Sequence, residues 1–270
     1  MNFALLVLKS ILAGVCISIG GTLFVASKYV FNLYASEYSN FGTIIGSFLF
    51  SVGLLLVCKC KMMLYTGKIG LAFEERKKLD YWIEIITMIV LNVGSAWGFG
   101  RLVRFIIDKT KFNTVIATIE TIATNKLVMK NKVSEIVNNY VIVIFQSIFC
   151  GSCVHMAVRS FNYLTNIGNV VLLVWFVFMF VFGGFQHCIA NSYYFGLDNL
   201  YSKEAIINIV VCIVGNMIGT IPIAQLTKIF NEQTTSRSTS ISEQIEEHSI
   251  SSSSSSSSAT IEYGRQRVNV

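Results

Sequence analysis

The sequence predicts an all-helical protein that crosses a membrane several times. Two observations carry that class. Hydrophobic residues make up 53% of the 270-residue chain and charged residues only 13%, about half the charged share of a soluble protein. The charge is also uneven, with long uncharged stretches alternating with short charged clusters. A single proline and a mean hydropathy of +0.62 agree. Together they exclude a wholly disordered, a secreted disulfide-rich or a soluble-enzyme chain.

A helix needs roughly 20 mainly apolar residues to cross the hydrocarbon core, and six windows qualify. The first covers 10–27 and extends backward through 3–8 across Lys9. The second is 38–58, and the third, 85–100, lies between Glu84 and Arg101. The fourth is 136–158 and contains His155. The fifth is 160–197 and the sixth 205–227.

Two of these windows are abnormal. The fifth is too long for one span and too short for two with a comfortable loop. Near its end it carries Gly183-Gly184-Phe185-Gln186-His187-Cys188-Ile189-Ala190-Asn191. After the second window, Lys59-Cys60-Lys61 leads into Met62-Met63-Leu64-Tyr65-Thr66-Gly67-Lys68, then into a further apolar scrap, 69–73. Both read as helices broken by an irregular stretch. Non-helical backbone survives at membrane depth only where protein or a water-filled cavity satisfies it. Breaks in corresponding elements of two halves point to a transport site in an inverted repeat.

The remaining segments are ancillary. The connection 101–135 is polar and of mixed charge, expected to be partly helical at a membrane surface. The serine run at 251–258 cannot bury a core. The domain reading is therefore a six-span transport domain, 1–230, and a disordered serine-rich tail, 231–270. A net charge of +6 without a basic stripe interleaved with aromatics argues against nucleic acid. Seven scattered cysteines form no disulfide framework, and Cys150-x-x-Cys153 with His155 lacks a second cluster of metal ligands. No cofactor or metal is expected. An intramembrane enzyme would need a nucleophile–base pair, whereas His155 and His187 stand alone. A non-transporting scaffold would have no need of two matching breaks.

The broken segments resemble something specific. His187-Cys188-Ile189-Ala190-Asn191, preceded by Gly184-Phe185-Gln186, resembles the G-F-E-H-x-I-A-N signature of the formate/nitrite transporter family. Leu64-Tyr65-Thr66-Gly67 is similar to that family's L-F-T-G loop. Lys9-Ser10-Ile11-Leu12-Ala13-Gly14, the stretch 150–158 and Gly215-Asn216-Met217-Ile218-Gly219 follow the first, fourth and sixth helices in order. The resemblance implies an aquaporin-like bundle of six transmembrane helices with inverted halves, the second and fifth broken. It also implies a homopentamer in membrane lipid with one pore per subunit, and no enzyme activity.

The implied function is passive or proton-coupled transport of small monovalent weak-acid anions of the formate, acetate and lactate class. The implied partners are the monocarboxylate and protons. A pore of the same fold for nitrite or hydrosulfide is the alternative. The resemblance places a central His187 between two hydrophobic constrictions, with Phe50, Leu54 and Tyr65 in one group and Val154 and Phe180 in the other. Thr66 and Asn191 are its polar surroundings.

The chain departs from the family pattern at three positions. A family lysine near the start of the fourth helix falls on Glu135, and Lys132, about one turn earlier, is the candidate replacement. Gln186 stands for a glutamate and Gly151 for an asparagine. The family also places both termini in the cytoplasm, and the plasma membrane is the implied location, although the Lys and Arg distribution leans the other way.

The residues themselves give this scheme a physical basis. A naked carboxylate cannot cross a dry apolar ring, because desolvating a charge costs many kcal/mol. Protonation removes most of that barrier, and histidine exchanges protons readily near neutrality. An ionisable side chain at an intramembrane break marks a site. His155, beside Arg159 and near a helix end, is expected instead to be a surface or interfacial group.

Overall fold

The computed structural model describes residues 2–34, 37, 39–71, 79–110, 112–127, 133–163 and 167–229. The chain forms two compact units, Met1–Ala224 and Gln225–Val270. In the second only 225–229 are described, so the first carries the account below. The expected tail, 231–270, and Lys132 lie outside the described residues. Glu135 is helical, but its side chain is not described.

The elements in order are α1 (Phe3–Tyr34), α2 (Ser39–Lys59) and a short α3 (Tyr65–Lys68) that continues as a 3-10 turn, Ile69–Leu71. Next come α4 (Leu79–Thr110), α5 (Ile116–Lys126), α6 (Val133–Tyr163), α7 (Gly168–Phe182) and α8 (Cys188–Leu197). The last is α9, Lys203–Ile229. No strand occurs among the described residues. Helices α1, α2, α4, α6 and α9 are long and apolar enough to cross a membrane, and α7 is a shorter apolar helix.

These helices follow the apolar windows, but α4 overruns its window at both ends: it begins at Leu79, ahead of Glu84, and runs past Arg101 to Thr110, into the stretch read as a partly helical connection. Two of its charges find partners there. Arg104 Nε donates to Asp108 Oδ1 at 2.9 Å, one turn on, and Arg101 lies over the Tyr201 ring at 5.5 Å. Paired charges four residues apart support a helix rather than end it.

Packing follows from side-chain size and from which polar groups can be satisfied. Helix α1 packs along α2 and α4, α4 on α8, and α7 on α2 and α6. Buried serines return their hydroxyls to their own helix: Ser10 Oγ to Leu6 O at 2.7 Å and Ser147 Oγ to Val143 O at 2.7 Å. That removes the cost of a polar atom in an apolar interior. The outer faces stay greasy, with Phe145, Phe149, Trp175 and Val210 exposed. Such faces suit lipid or a neighbouring subunit.

Candidate functional site

Helix α2 stops at Lys59 and the chain resumes as helix at Tyr65; α7 stops at Phe182 and the chain resumes at Cys188. Each stop closes with the same pair of bonds. Lys61 N donates to Cys58 O and Met62 N to Val57 O; Gly184 N donates to Val181 O and Phe185 N to Phe180 O. This is a helix ending in which one residue adopts left-handed geometry. That residue is Lys61 (φ 51°) in the first and Gly184 (φ 70°) in the second.

The irregular backbone beyond each stop needs partners, and one asparagine supplies them in each half. Asn92 Nδ2 donates to Ser10 O (2.7 Å) and Met63 O (2.9 Å), while its Oδ1 accepts from Tyr65 N (3.0 Å). Asn216 Nδ2 donates to Ser147 O (2.8 Å) and Gln186 O (2.9 Å), and its Oδ1 accepts from Cys188 N (3.1 Å). Both asparagines are fully buried. Glycines let the clamps approach: Gly14 packs on the backbone of Asn92 and Gly151 on that of Asn216, and an added Cβ would collide at either. No asparagine side chain could stand at Gly151.

The two breaks converge. Tyr65 Oη lies 3.5 Å from Cys188 Sγ and donates to Ile213 O at 3.2 Å. Phe50 and Phe180 meet edge to face with centroids 6.0 Å apart, and Phe180 lies 5.9 Å from the His187 ring. The structure thus pairs Phe50 with Phe180, across the two expected groups. Leu54, Tyr65 and Val154 are buried in the same apolar core.

His187 is the residue before α8, and its side chain accepts from Ala190 N at 3.3 Å through Nδ1. An imidazole nitrogen that accepts carries no proton, so the neutral ring holds its proton on Nε2. That Nε2 is buried without a protein partner, as are Thr66 Oγ1 and Asn191 Oδ1. Asn191 is oriented by its other end, donating from Nδ2 to Gln186 Oε1 (2.6 Å) and Asn208 Oδ1 (2.9 Å). Gln186 Nε2 donates onward to Gln146 Oε1 at 3.1 Å.

Two cavities lie towards the two ends of α1, and the first of them reaches this centre. One, of about 200 Å³, is lined by Lys28, Phe50, Lys126, Phe180, His187 and Asn191. The other, of about 510 Å³, is lined by Lys9, Lys61, Leu64, Lys68, His155 and Arg159. Lys9 and Lys28 are about 28 Å apart along the helix axis, close to the thickness of a bilayer core.

Residues 1–230 match the profile of a family described as formate/nitrite transporter. The chain belongs to that family. It is a multi-pass membrane protein and a transporter of small anions, not an enzyme. Its fold is that of solved relatives at low identity. A pentameric formate channel with formate bound matches with a TM-score of 0.63 at 18% identity, covering 85% of this chain and 96% of that one. An ion channel of the same family matches with a TM-score of 0.66 at 16% identity, covering 85% and 91%. No curated protein matches by sequence.

Within this transporter the sequence-named residues fall unevenly. His187, Phe50, Phe180 and Asn191 line one cavity. Thr66, Tyr65, Leu54 and Val154 are buried without lining either cavity. His155 is not a surface group: it is 7% exposed, with both ring nitrogens lacking a protein partner.

Sequence reasoning missed Lys126. Its Nζ donates to Gly184 O (2.8 Å) and Phe185 O (3.0 Å), on the turn that precedes His187. Burial of the ammonium, with Lys28 acting in the same sense, lowers its pKa to about 8. A signal was present. Ile119, Ile122 and Ala123 form the buried stripe of α5, and Lys126 continues that stripe at helical spacing.

Proposed function

We propose that the pore carries small monovalent weak acids of the formate class, crossing the apolar segment in neutral form. The observation that carries this reading is a trio of buried, unpartnered polar atoms on the two restarted helices: His187 Nε2, Thr66 Oγ1 and Asn191 Oδ1. Buried polar atoms are almost always satisfied. A donor and acceptor set left open at the meeting point of two helix breaks suits a small solute with one hydroxyl and one carbonyl oxygen. His187 Nε2–H donates to the acid's carbonyl oxygen, and Asn191 Oδ1 accepts from its hydroxyl.

Lys126 and Lys28 draw the anion to the mouth by Coulomb attraction. The proton is taken up before the ring, because an ion would leave its hydration behind there while the acid loses far less. Lys126, at the turn before His187, fills the role for which Lys132 was the sequence candidate. The exposed apolar helix faces and the pentameric formate channel among its relatives support a homopentamer. The plasma membrane is the proposed location.

The test is initial uptake of labelled formate into proteoliposomes across a pH series, with nitrite and hydrosulfide as competitors. Uptake should rise as external pH falls. A flat profile would overturn proton coupling. Passage of nitrite or hydrosulfide with exclusion of formate would replace the substrate class.

A further inference from the structure

We propose that the larger basin, on the face where α1 begins, docks small organic polycarboxylates that close the pore from that side. The inference rests on the transport reading above and adds a ligand that is not transported. Lys9, Lys61, Lys68 and Arg159 line the basin, and no acidic residue is among the described residues that do so. A monovalent acid needs one cation. This wall offers several, around a cavity more than twice the volume of the one at the opposite mouth.

Two features show that the basin is more than a charged rim. His155 lines it at 7% exposure, with neither ring nitrogen meeting a protein partner. A ligand oxygen would satisfy it. The second feature is Lys61, whose φ of 51° suits glycine. The equivalent turn in the other half uses Gly184 there. A lysine in left-handed geometry costs stability relative to glycine, yet here it sets an ammonium on the basin wall.

The lining also selects the chemistry of the ligand. Val57, Met62, Leu64 and Val158 give the basin an apolar part on which a carbon skeleton can lie. The ammonium groups of Lys9, Lys61 and Lys68 match carboxylates. Such an anion cannot follow formate inward, because it would shed the hydration of two or three charges at the buried Leu54 and Val154. It therefore occupies the mouth and neutralises the field that gathers substrate.

Citrate is the probe. Its binding to the purified full-length protein is measured by calorimetry. Formate uptake is then followed in sealed vesicles of both orientations, with citrate outside. The orientation is read from labelling of Cys60, which is exposed beside Lys61. Citrate should bind saturably and block uptake when it meets the Cys60 face, and block little from the other. Lys61→Gly, which suits the backbone, and His155→Asn should each weaken citrate binding about tenfold, the loss of one charge-assisted or buried hydrogen bond.

The outcomes separate the two readings. If formate passes but citrate neither binds nor blocks, the docking site is overturned and the transport reading stands. Equal block from both faces, or unchanged affinity in both variants, also overturns it. If citrate binds through Lys61 and His155 in a protein that passes no formate, the site stands and the transport reading falls.

Discussion

The two helix breaks share one backbone solution and carry different chemistry. Asn92 and Asn216 make matching sets of three hydrogen bonds, to a carbonyl one helix away, to the carbonyl before the restart and from the first amide of the new helix. What stands on that backbone differs. The residue before α3 is Leu64, with no side-chain cap, whereas the residue before α8 is His187, whose ring caps its own helix. The left-handed position is Lys61 in one half and Gly184 in the other. The clamp thus sets where the chain is irregular, and the residues it presents set what each half does. One half presents lysines to a wide basin; the other presents an imidazole and an amide to the centre.

The clamps should show the largest effect. Asn216→Ala leaves Gln186 O and Cys188 N without a partner and removes the second bond to the helical Ser147 O, at about 1–3 kcal/mol for each orphaned buried group. Asn92→Ala orphans the equivalent set, so thermal unfolding in detergent should register similar destabilisation for both. Uptake should separate them, with Asn216→Ala losing more formate flux because His187 lies between its two released backbone groups. Equal loss of flux at equal stability would mean that the two halves contribute alike to the centre.

His187→Phe comes next. Removing the Nε2 donor should lower formate uptake by about 10- to 100-fold, the value of one hydrogen bond in a desolvated site. His155→Phe should impair it far less, since His155 lies in the basin and not at the centre. Uptake by His187→Phe at the parent rate, measured side by side at pH 6, would sink the central assignment.

How much of this contrast was legible beforehand depends on the range of the interaction. The breaks at 60–64 and 183–187 show in the sequence because a polar interruption in an apolar run, with a lysine in the first and glycines in the second, is a local signal. The aromatic residues Phe50 and Phe180 were nameable by resemblance, but their pairing with each other is a tertiary fact that a linear alignment cannot hold. Asn92 was invisible as a clamp, since its three partners are Ser10, Met63 and Tyr65 from other elements. His155 was misjudged because the 3-10 turn Ile69–Leu71 packs over it, with Gly70 against the ring, and nothing in 136–158 reveals that cover. Lys126 was overlooked because a mixed-charge connection reads as surface until α5 is seen to turn its stripe inward.

The ring itself gives a selectivity test. Phe50→Ala or Phe180→Ala removes one side of the edge-to-face pair and should admit larger acids or inorganic ions that the parent excludes. Entry of lactate relative to formate should rise several-fold, on the order of the 1–3 kcal/mol that an apolar pocket assigns to size differences. Unchanged ratios in both variants would remove the pair as a filter.

Lys126 adds a smaller, pH-dependent effect. With its pKa lowered to about 8, the ammonium is charged below that pH and loses its charge as pH rises through it. The attraction of anions at this mouth should therefore fade above pH 8. Lys126→Arg keeps the charge at all accessible pH. Substrate protonation changes equally for parent and variant, so the ratio of their uptake rates isolates the side chain. That ratio should rise a few-fold in favour of arginine between pH 7 and 9, and a constant ratio would mean that Lys126 serves only to hold the Gly184 and Phe185 carbonyls.

The smallest expected effect tests the comparison at its most exact point, the left-handed residue that ends α2 and α7. A non-glycine residue there costs about 1 kcal/mol relative to glycine. Lys61→Gly should therefore stabilise the protein by about that amount, less the extra freedom glycine gains in the unfolded chain. Gly184→Ala should destabilise it by a similar amount through backbone strain alone, since nothing lies within 4 Å of an added Cβ. Opposite signs of shift in thermal unfolding would show that the two turns obey one rule and that the first half keeps its lysine at a cost. If Lys61→Gly lowers stability instead, the lysine side chain contributes more to folding than its backbone takes away, and the asymmetry between the halves would be structural before it is functional.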